Sequence, residues 1–205
     1  TTETLNTTKV NYEAEIKEAD VQLQRLRESS ARRALELEDR LSLAEMQQEM
    51  AMTMAQTDSA TGLKNRLGFE HALIDSLQDH EAKGKRFGLA IADVDRFKQI
   101  NDRYGHPIGD HVLKTVGQRL TELPNVFTVA RWGGDEFAVL TEVHTDDPTV
   151  MLEGLEQARK YVFRPVQAAG RKIDISGSVG FSVFSEDAHG ADELMRNADV
   201  ALMIA

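Results

Sequence analysis

The sequence predicts an α+β chain: a long coiled-coil α-helix over residues 1–57, then helices packed around a mostly antiparallel central sheet over residues 58–205. Three observations carry this. Residues 1–57 contain no Gly and no Pro and are rich in Glu, Gln, Arg, Ala, Leu and Met, which are strong helix formers. Apolar residues in that stretch recur in heptads. From Asp58 onward glycines appear, and apolar runs of strand length alternate with amphipathic stretches of helix length.

In the first segment Leu5, Tyr12, Ala19 and Leu26 stand seven apart, with Ile16 and Leu23 forming the partner row. An isolated helix of this kind is marginal, so the stripe implies a second helix, most simply from another copy of the chain. The phase then changes. Carried forward, the first register places Ser30, Arg33, Leu37, Arg40, Ala44, Gln47, Ala51 and Met54 in the seam. A register shifted by four buries the more apolar Ala34, Leu37, Leu41, Ala44, Gln48, Ala51 and Ala55. One reading is a static stutter that locally unwinds the supercoil; the other is a switch between two seams of similar energy.

The second segment reads in order as follows. DSATGLKNRLGFEHALIDSL is a turn into an amphipathic helix beginning near Asn65, and RFGLAIADV (86–94) is a buried strand. RFKQINDRYG is a short helix ending at Gly105, and GDHVLKTVGQRLTEL a second helix from Gly109. FTVARW and DEFAVLTEV form a strand pair around Gly133 and Gly134. A helix from about Pro148 to Phe163, a strand RKIDISGSVGFSVF (171–184) and a last helix from about Ala191 complete the series.

Composition removes several function classes. The net charge of -10 and the pI near 5.1 oppose a basic nucleic-acid-binding face, because phosphate neutralisation needs clustered Lys and Arg. An anionic ligand would have to be held by metal and local donors. The absence of cysteine excludes disulfides, zinc-thiolate sites and thiol catalysis. No apolar run is long enough to span a bilayer and the N-terminus does not resemble a secretory signal, so the expected location is the cytoplasm, with no membrane contact within this chain.

Two acidic clusters carry the candidate chemistry. In RWGGDEFAVL a glycine pair precedes Asp135 and Glu136 inside a β pattern, which suits either a tight hairpin with solvated acids or a cation site approached closely by ligand. AIADVD places Asp93 and Asp95 at the carboxyl end of an apolar strand; Asp95 is expected to cap the following helix, whereas Asp93 needs a cation or donor. If the two strands are neighbours, Asp93 faces Asp135 and Glu136, and magnesium completed by phosphate oxygens would relieve their repulsion. Downstream, Asn101 and Asp110 have two readings, as helix caps or as a guanine-recognising amide and carboxylate; Lys98 is either solvated or a phosphate contact. His106 is expected to hold its turn through ring hydrogen bonds, and Trp132 to pack at the hairpin.

Taken together, DSATGLKNR, DVDRFKQINDRYGHPIGD, RWGGDEF, SVGFS and NADVAL resemble, in order and spacing, the GGDEF domain of diguanylate cyclases over about residues 58–205. The helix entering the turn at Asp58 to Arg66 is similar to the signalling linker of sensor-coupled members. The resemblance implies a nucleotidyl-cyclase-like fold and a reaction in which two GTP condense to cyclic di-GMP with loss of two pyrophosphates, one GTP on each of two facing domains. It implies Asp93, the Val94 carbonyl, Asp135 and Glu136 as ligands to two Mg²⁺ or Mn²⁺ per active site, with Glu136 also placed to activate the 3′-hydroxyl. It further implies guanine contacts from Asn101 and Asp110, triphosphate contacts near Phe97 and Lys98, and close passage of substrate over Gly133 and Gly134. The implied partners are a second copy through the coiled coil and an upstream sensor domain. A catalytically silent nucleotide-binding or dimerisation module is the alternative.

The sequence also departs from the family pattern. The slot of the product-inhibition motif R-x-x-D holds Pro124, Asn125, Val126 and Phe127, Ala60 stands where Leu is usual, and Leu202-Met203 where Leu-Tyr is frequent. The pattern continues beyond Ala205 with Lys and Arg that contact phosphates, so full activity is expected to need them. For the helix, cysteines placed at positions 40 and 41 separate its two readings: a switch predicts cross-linking yields that change between signalling conditions, and a static stutter predicts constant yields.

Overall fold

A computed structural model of the chain describes residues 2–184 and 187–205, with side chains of the first helix from residue 15 onward. The chain divides into two compact units, Thr1–Met52 and Thr53–Ala205. The first helix, α1, runs over Thr2–Ala55, 54 residues, and at 1.5 Å per residue is about 80 Å long. Its described apolar stripe lies uncovered: Ile16, Leu23, Leu26, Leu37 and Leu41 are all exposed. Leu5 and Tyr12, the first residues of the heptad row, lie outside the described side chains. Among the described residues no helix is long and apolar enough to cross a membrane.

The second unit is built on an antiparallel sheet of four strands in the order β2-β3-β1-β6. These are β1 Phe87–Val94, β2 Val126–Gly133, β3 Glu136–Glu142 and β6 Gly177–Val183. Strand β1 is central, pairing with β3 on one side and β6 on the other. That is why FGLAIADV is almost continuously apolar: a strand hydrogen-bonded on both edges and covered on both faces has little place for a polar side chain. Leu89 and Ile91 enter one core layer with Phe69, Leu73, Leu140 and Leu194. Ala90, Ala92 and Val94 enter the opposite layer with Val112, Leu113, Val116 and Phe137. Helices α2 (Arg66–Lys83) and α6 (Ala191–Ile204) therefore cover one face. On the other lie α3 (Phe97–Tyr104), α4 (His106–Thr121) and the end of α5 (Pro148–Val162).

The local signals explain most boundaries. Asn65 caps α2 by accepting from the Gly68 N–H at 3.0 Å, and Gly84 ends it with φ 65°. Asp147 caps α5 by accepting from the Thr149 N–H, with Pro148 at the first helical position. Three features differ from the sequence expectation. Helix α4 starts at His106 and not Gly109, because Pro107 falls in the first turn, where its missing N–H costs nothing. The expected strand 171–184 is two strands: β5 (Arg171–Ile173) turns back on β4 (Val166–Ala168) as a separate hairpin, and β6 begins only at Gly177. At the first residue of β6 a Cβ on Gly177 would stand 2.2 Å from the Phe163 ring, so the strand starts on a position that only glycine fits. Strand β4 is too short to leave a sequence pattern; its hairpin turns through Ala169 and Gly170, both at positive φ.

The SVGFS and NADVAL segments meet at one contact. A Cβ on Gly180 would lie 2.0 Å from the Ala198 carbonyl oxygen and 2.4 Å from the Leu202 nitrogen, so α6 sits directly on the β6 backbone. Gly180→Ala is predicted to destabilise the unit by about 3 kcal/mol, because backbone atoms cannot yield as a side chain would. Gly154→Ala in α5, where a Cβ meets nothing within 4 Å, is predicted to stabilise by about 0.5–1 kcal/mol. Urea unfolding of both variants measures the contrast.

Candidate active site

The register of β1 on β3 sets Asp93 directly opposite Glu136, so the two side chains leave the same face of the sheet. The next residue, Val94, donates its N–H to the Asp135 carbonyl at 3.3 Å, drawing the acidic turn against the end of β1. Burial pushes the Asp93 carboxyl up to about 6, reinforced by the negative charges of Asp135, Glu136 and Asp95. Among the described residues no Lys, Arg or His pairs with Asp93, Asp135 or Glu136, and no donor reaches the Asp93 carboxylate.

Such a donor set fits a hard divalent cation: oxygen ligands only, excess negative charge and partial burial. Among the described residues no three acidic or imidazole groups close into a ready-made cage. That also suits magnesium, which keeps water and phosphate oxygens in its shell and seldom uses an all-protein cage.

The turn before Glu136 is open above. A Cβ at either Gly133 or Gly134 would meet nothing within 4 Å, and only Gly134 requires its residue type for conformation, at φ 55°. The turn is held from below. Arg131 donates through Nε and Nη2 to the Gly134 carbonyl at 2.9 and 2.7 Å, and through Nη1 to Asp58 Oδ1 at 3.3 Å. Asp58 in turn accepts from the Thr61 backbone N–H and hydroxyl at 2.8 and 2.7 Å. Burial raises its carboxyl, but these donors and Arg131 outweigh it and hold Asp58 below the usual carboxylate range. The D-x-x-T turn at the start of the unit is thereby tied to the acidic hairpin. Sequence reading missed this bond; the only signal was an arginine immediately ahead of the glycine hairpin.

On the neighbouring element, Asn101 lies within α3 and Asp110 within α4, so neither is a terminal cap. The Asn101 Oδ1 atom is buried without a hydrogen-bond partner. A Cβ on Gly109 would stand 1.9 Å from that oxygen and 3.1 Å from Phe97 Cζ, so the amide and ring pack onto bare backbone just before Asp110. Asp110 and Lys98 are exposed and Phe97 is half-buried.

Two further expectations are corrected. Asp95 does not cap α3: the capping position is Arg96 at φ 55°, with no side-chain cap bond, and Asp95 instead accepts from Ser178 Oγ at 3.1 Å. The His106 ring makes no hydrogen bond among the described residues and is exposed, because α4 has already begun there. Trp132 packs edge-on against Phe69 with ring centroids 5.6 Å apart and carries the Arg66 guanidinium 4.5 Å above it, as a hairpin packing residue should.

With this geometry in place, comparison with known proteins gives a consistent result. The GGDEF family profile, described as "Diguanylate cyclase, GGDEF domain", matches residues 55–205. The cyclic di-GMP phosphodiesterase NbdA of Pseudomonas aeruginosa is 37% identical over 151 residues, covering 73% of this chain and 19% of that protein. The diguanylate cyclase TpbB of the same species is 34% identical over 166 residues, covering 79% and 38%. The chain thus spans about a fifth to two fifths of the length of these relatives. Among solved structures, the coiled coil and GGDEF domain of DgcB from Caulobacter crescentus in complex with c-di-GMP superposes with a TM-score of 0.70 at 29% identity, covering 83% of this chain and 91% of that one. An open glycine turn leading into paired acids, antiparallel to a strand that ends in an unpaired aspartate, is what the profile spans here, and the chain belongs to the GGDEF, diguanylate cyclase domain family.

Proposed function

We propose that this chain is an active, GTP-specific diguanylate cyclase module, working as a homodimer through α1 and driven by an upstream sensor in the cytoplasm. One observation supports the reading most strongly: among the described residues Asp93, Asp135 and Glu136 converge without a counter-ion beside a turn that is open to ligand. A silent module would have little reason to keep that unfavourable cluster.

In this reading Asp93, the Val94 carbonyl, Asp135 and Glu136 hold two Mg²⁺ or Mn²⁺ ions. Bound there, the ions lower the pKa of the attacking hydroxyl and neutralise charge on the triphosphate. The chain's own residues do the rest. The bare backbone at Gly133 and Gly134 admits the nucleotide close to the acids. Phe97 and Lys98, at the start of α3, lie along the triphosphate. The Asn101 amide and the Asp110 carboxylate face the guanine edge, where the amide donates to O6 or N7 and the carboxylate accepts from N1–H and the exocyclic amine; adenine offers its N1 only as an acceptor. Glu136 takes the proton of the 3′-hydroxyl as that oxygen bonds to the α-phosphorus of the GTP on the facing domain, and the bond to the pyrophosphate breaks. The same step in the other direction closes the ring, releasing two pyrophosphates in all. Because each domain holds one GTP, catalysis depends on two copies brought face to face, a task suited to a long dimerising helix.

The test is incubation of the full-length protein with Mg²⁺ and either GTP or ATP, with products separated chromatographically. Cyclic di-GMP from GTP and no cyclic product from ATP is the expected result; GTP binding without product would instead favour the silent module. Glu136→Gln is predicted to lower turnover by at least about 10³-fold while leaving the unfolding midpoint unchanged.

The crowded acids also predict a pH dependence. The folded-state pKa of Asp93, about 6, lies above the ordinary aspartate value of 3.8, so the metal-free fold is most favoured below that lower value and loses stability as pH rises through about 6. Asp93→Asn is therefore expected to stabilise the metal-free protein at pH 7 by about 1 kcal/mol, a figure reduced for solvent screening, and to have little effect near pH 3.5. Thermal unfolding at the two pH values in chelator measures this. Added Mg²⁺ should narrow the difference.

A further inference from the structure

Two aspartates close the β1 strand, and a single hydroxyl separates their fates. Ser178 on β6 stands opposite Asp93 in the register. Its one O–H donor is nevertheless spent on Asp95, two residues on, at 3.1 Å. Asp93 is left bare and Asp95 is held. Backbone bonds tighten the same spot: the Asp95 N–H donates to the Ser176 carbonyl at 3.0 Å, and the Val94 N–H donates to the Asp135 carbonyl at 3.3 Å. From α5, Arg159 Nη1 lies 3.5 Å from the Gly177 carbonyl.

The segment pinned in this way contains a conformational oddity. Arg96 adopts φ 55°, a left-handed backbone that an L-residue with a side chain rarely takes, and no side-chain cap holds the start of α3. Such a turn persists only where its surroundings fix it. Here the fixing contacts come from β3 on one side and β6 on the other, and the residues flanking the turn are Val94 before it and Phe97 and Lys98 after it.

We propose that Ser178 is a positioning residue of the active site: its hydroxyl, through Asp95, locks the turn at Arg96 and so aims the Val94 carbonyl and the start of α3 at the substrate. The assignment rests on the cyclase reading for its catalytic consequence, but the latch itself is a property of the nucleotide-free protein. It gives the first serine of SVGFS a role beyond packing, while Gly180 in the same motif seats α6.

The test compares Ser178→Ala and Ser178→Thr in the full-length protein by hydrogen exchange without nucleotide and by steady-state kinetics. In Ser178→Ala the amides of residues 94–98 are expected to exchange about tenfold faster than in wild type, with exchange in β1 upstream of Asp93 unchanged. The kcat should fall about tenfold with KM for GTP within about twofold, the signature of misaimed groups and not of lost binding. Ser178→Thr, which keeps the hydroxyl, should restore both readouts. Unchanged exchange at residues 94–98 in Ser178→Ala overturns the latch, and faster exchange with wild-type kcat overturns the positioning role. If the wild-type protein makes no cyclic dinucleotide, the cyclase reading falls, and the exchange result still decides the latch.

Discussion

The structure turns on an electrostatic conflict built into a rigid frame. Strand β1 is hydrogen-bonded along both edges, and that pairing fixes Asp93 across from Glu136 with Asp135 beside them. The strand cannot slip to relieve the repulsion, because a shift of one residue would turn Leu89 and Ile91 out of one core layer and Ala90 and Ala92 out of the other. Desolvation then makes the crowded charge costlier than it would be in water. A fold that holds acids together against their own interest, with no Lys, Arg or His paired to them among the described residues, has the character of a cation site.

The surroundings are arranged to leave that site reachable and in one shape. Gly133 and Gly134 stand under open space, and Arg131 braces their turn from the protein side by joining the Gly134 carbonyl to Asp58. On the other flank Gly109 lets Asn101 and Phe97 settle onto bare backbone, which leaves the Asn101 oxygen buried with no partner among the described residues. A buried acceptor of that kind is costly unless something supplies a donor. Among the described residues the acidic flank lacks positive charge, which a metal nucleotide can provide.

The legible part of this arrangement was the part carried by periodicity and by runs of residue type. The glycine-free heptads mark α1, the continuous apolar run FGLAIADV marks a central strand, and Asn65, Gly105 and Pro148 mark helix ends. What stayed hidden depends on contacts between residues far apart in sequence. Nothing near Asp95 indicates that Ser178, 83 positions away, is its donor, so the local rule that an aspartate before a helix is a cap gave the wrong role. The bond from Arg131 to Asp58 spans 73 positions and was equally invisible. The false continuity of residues 171–184 has the same origin, since the pairing of Arg171–Ile173 with Val166–Ala168 draws the first part away from β6. The start of α4 was a different kind of miss: the helix was read from Gly109, whereas Pro107 lies in its first turn.

The central claim is that the acids at the end of β1 and the start of β3 form a divalent-cation site completed by nucleotide phosphate. It is tested most directly by titrating Mn²⁺ into the protein and following free ion by electron paramagnetic resonance, with and without a GTP analogue whose α–β bridge cannot be cleaved. The account predicts weak uptake by the protein alone, about two ions per chain once the analogue is bound, and loss of that uptake in Asp93→Asn. Mn²⁺ uptake in the presence of analogue that is unchanged in Asp93→Asn would contradict it.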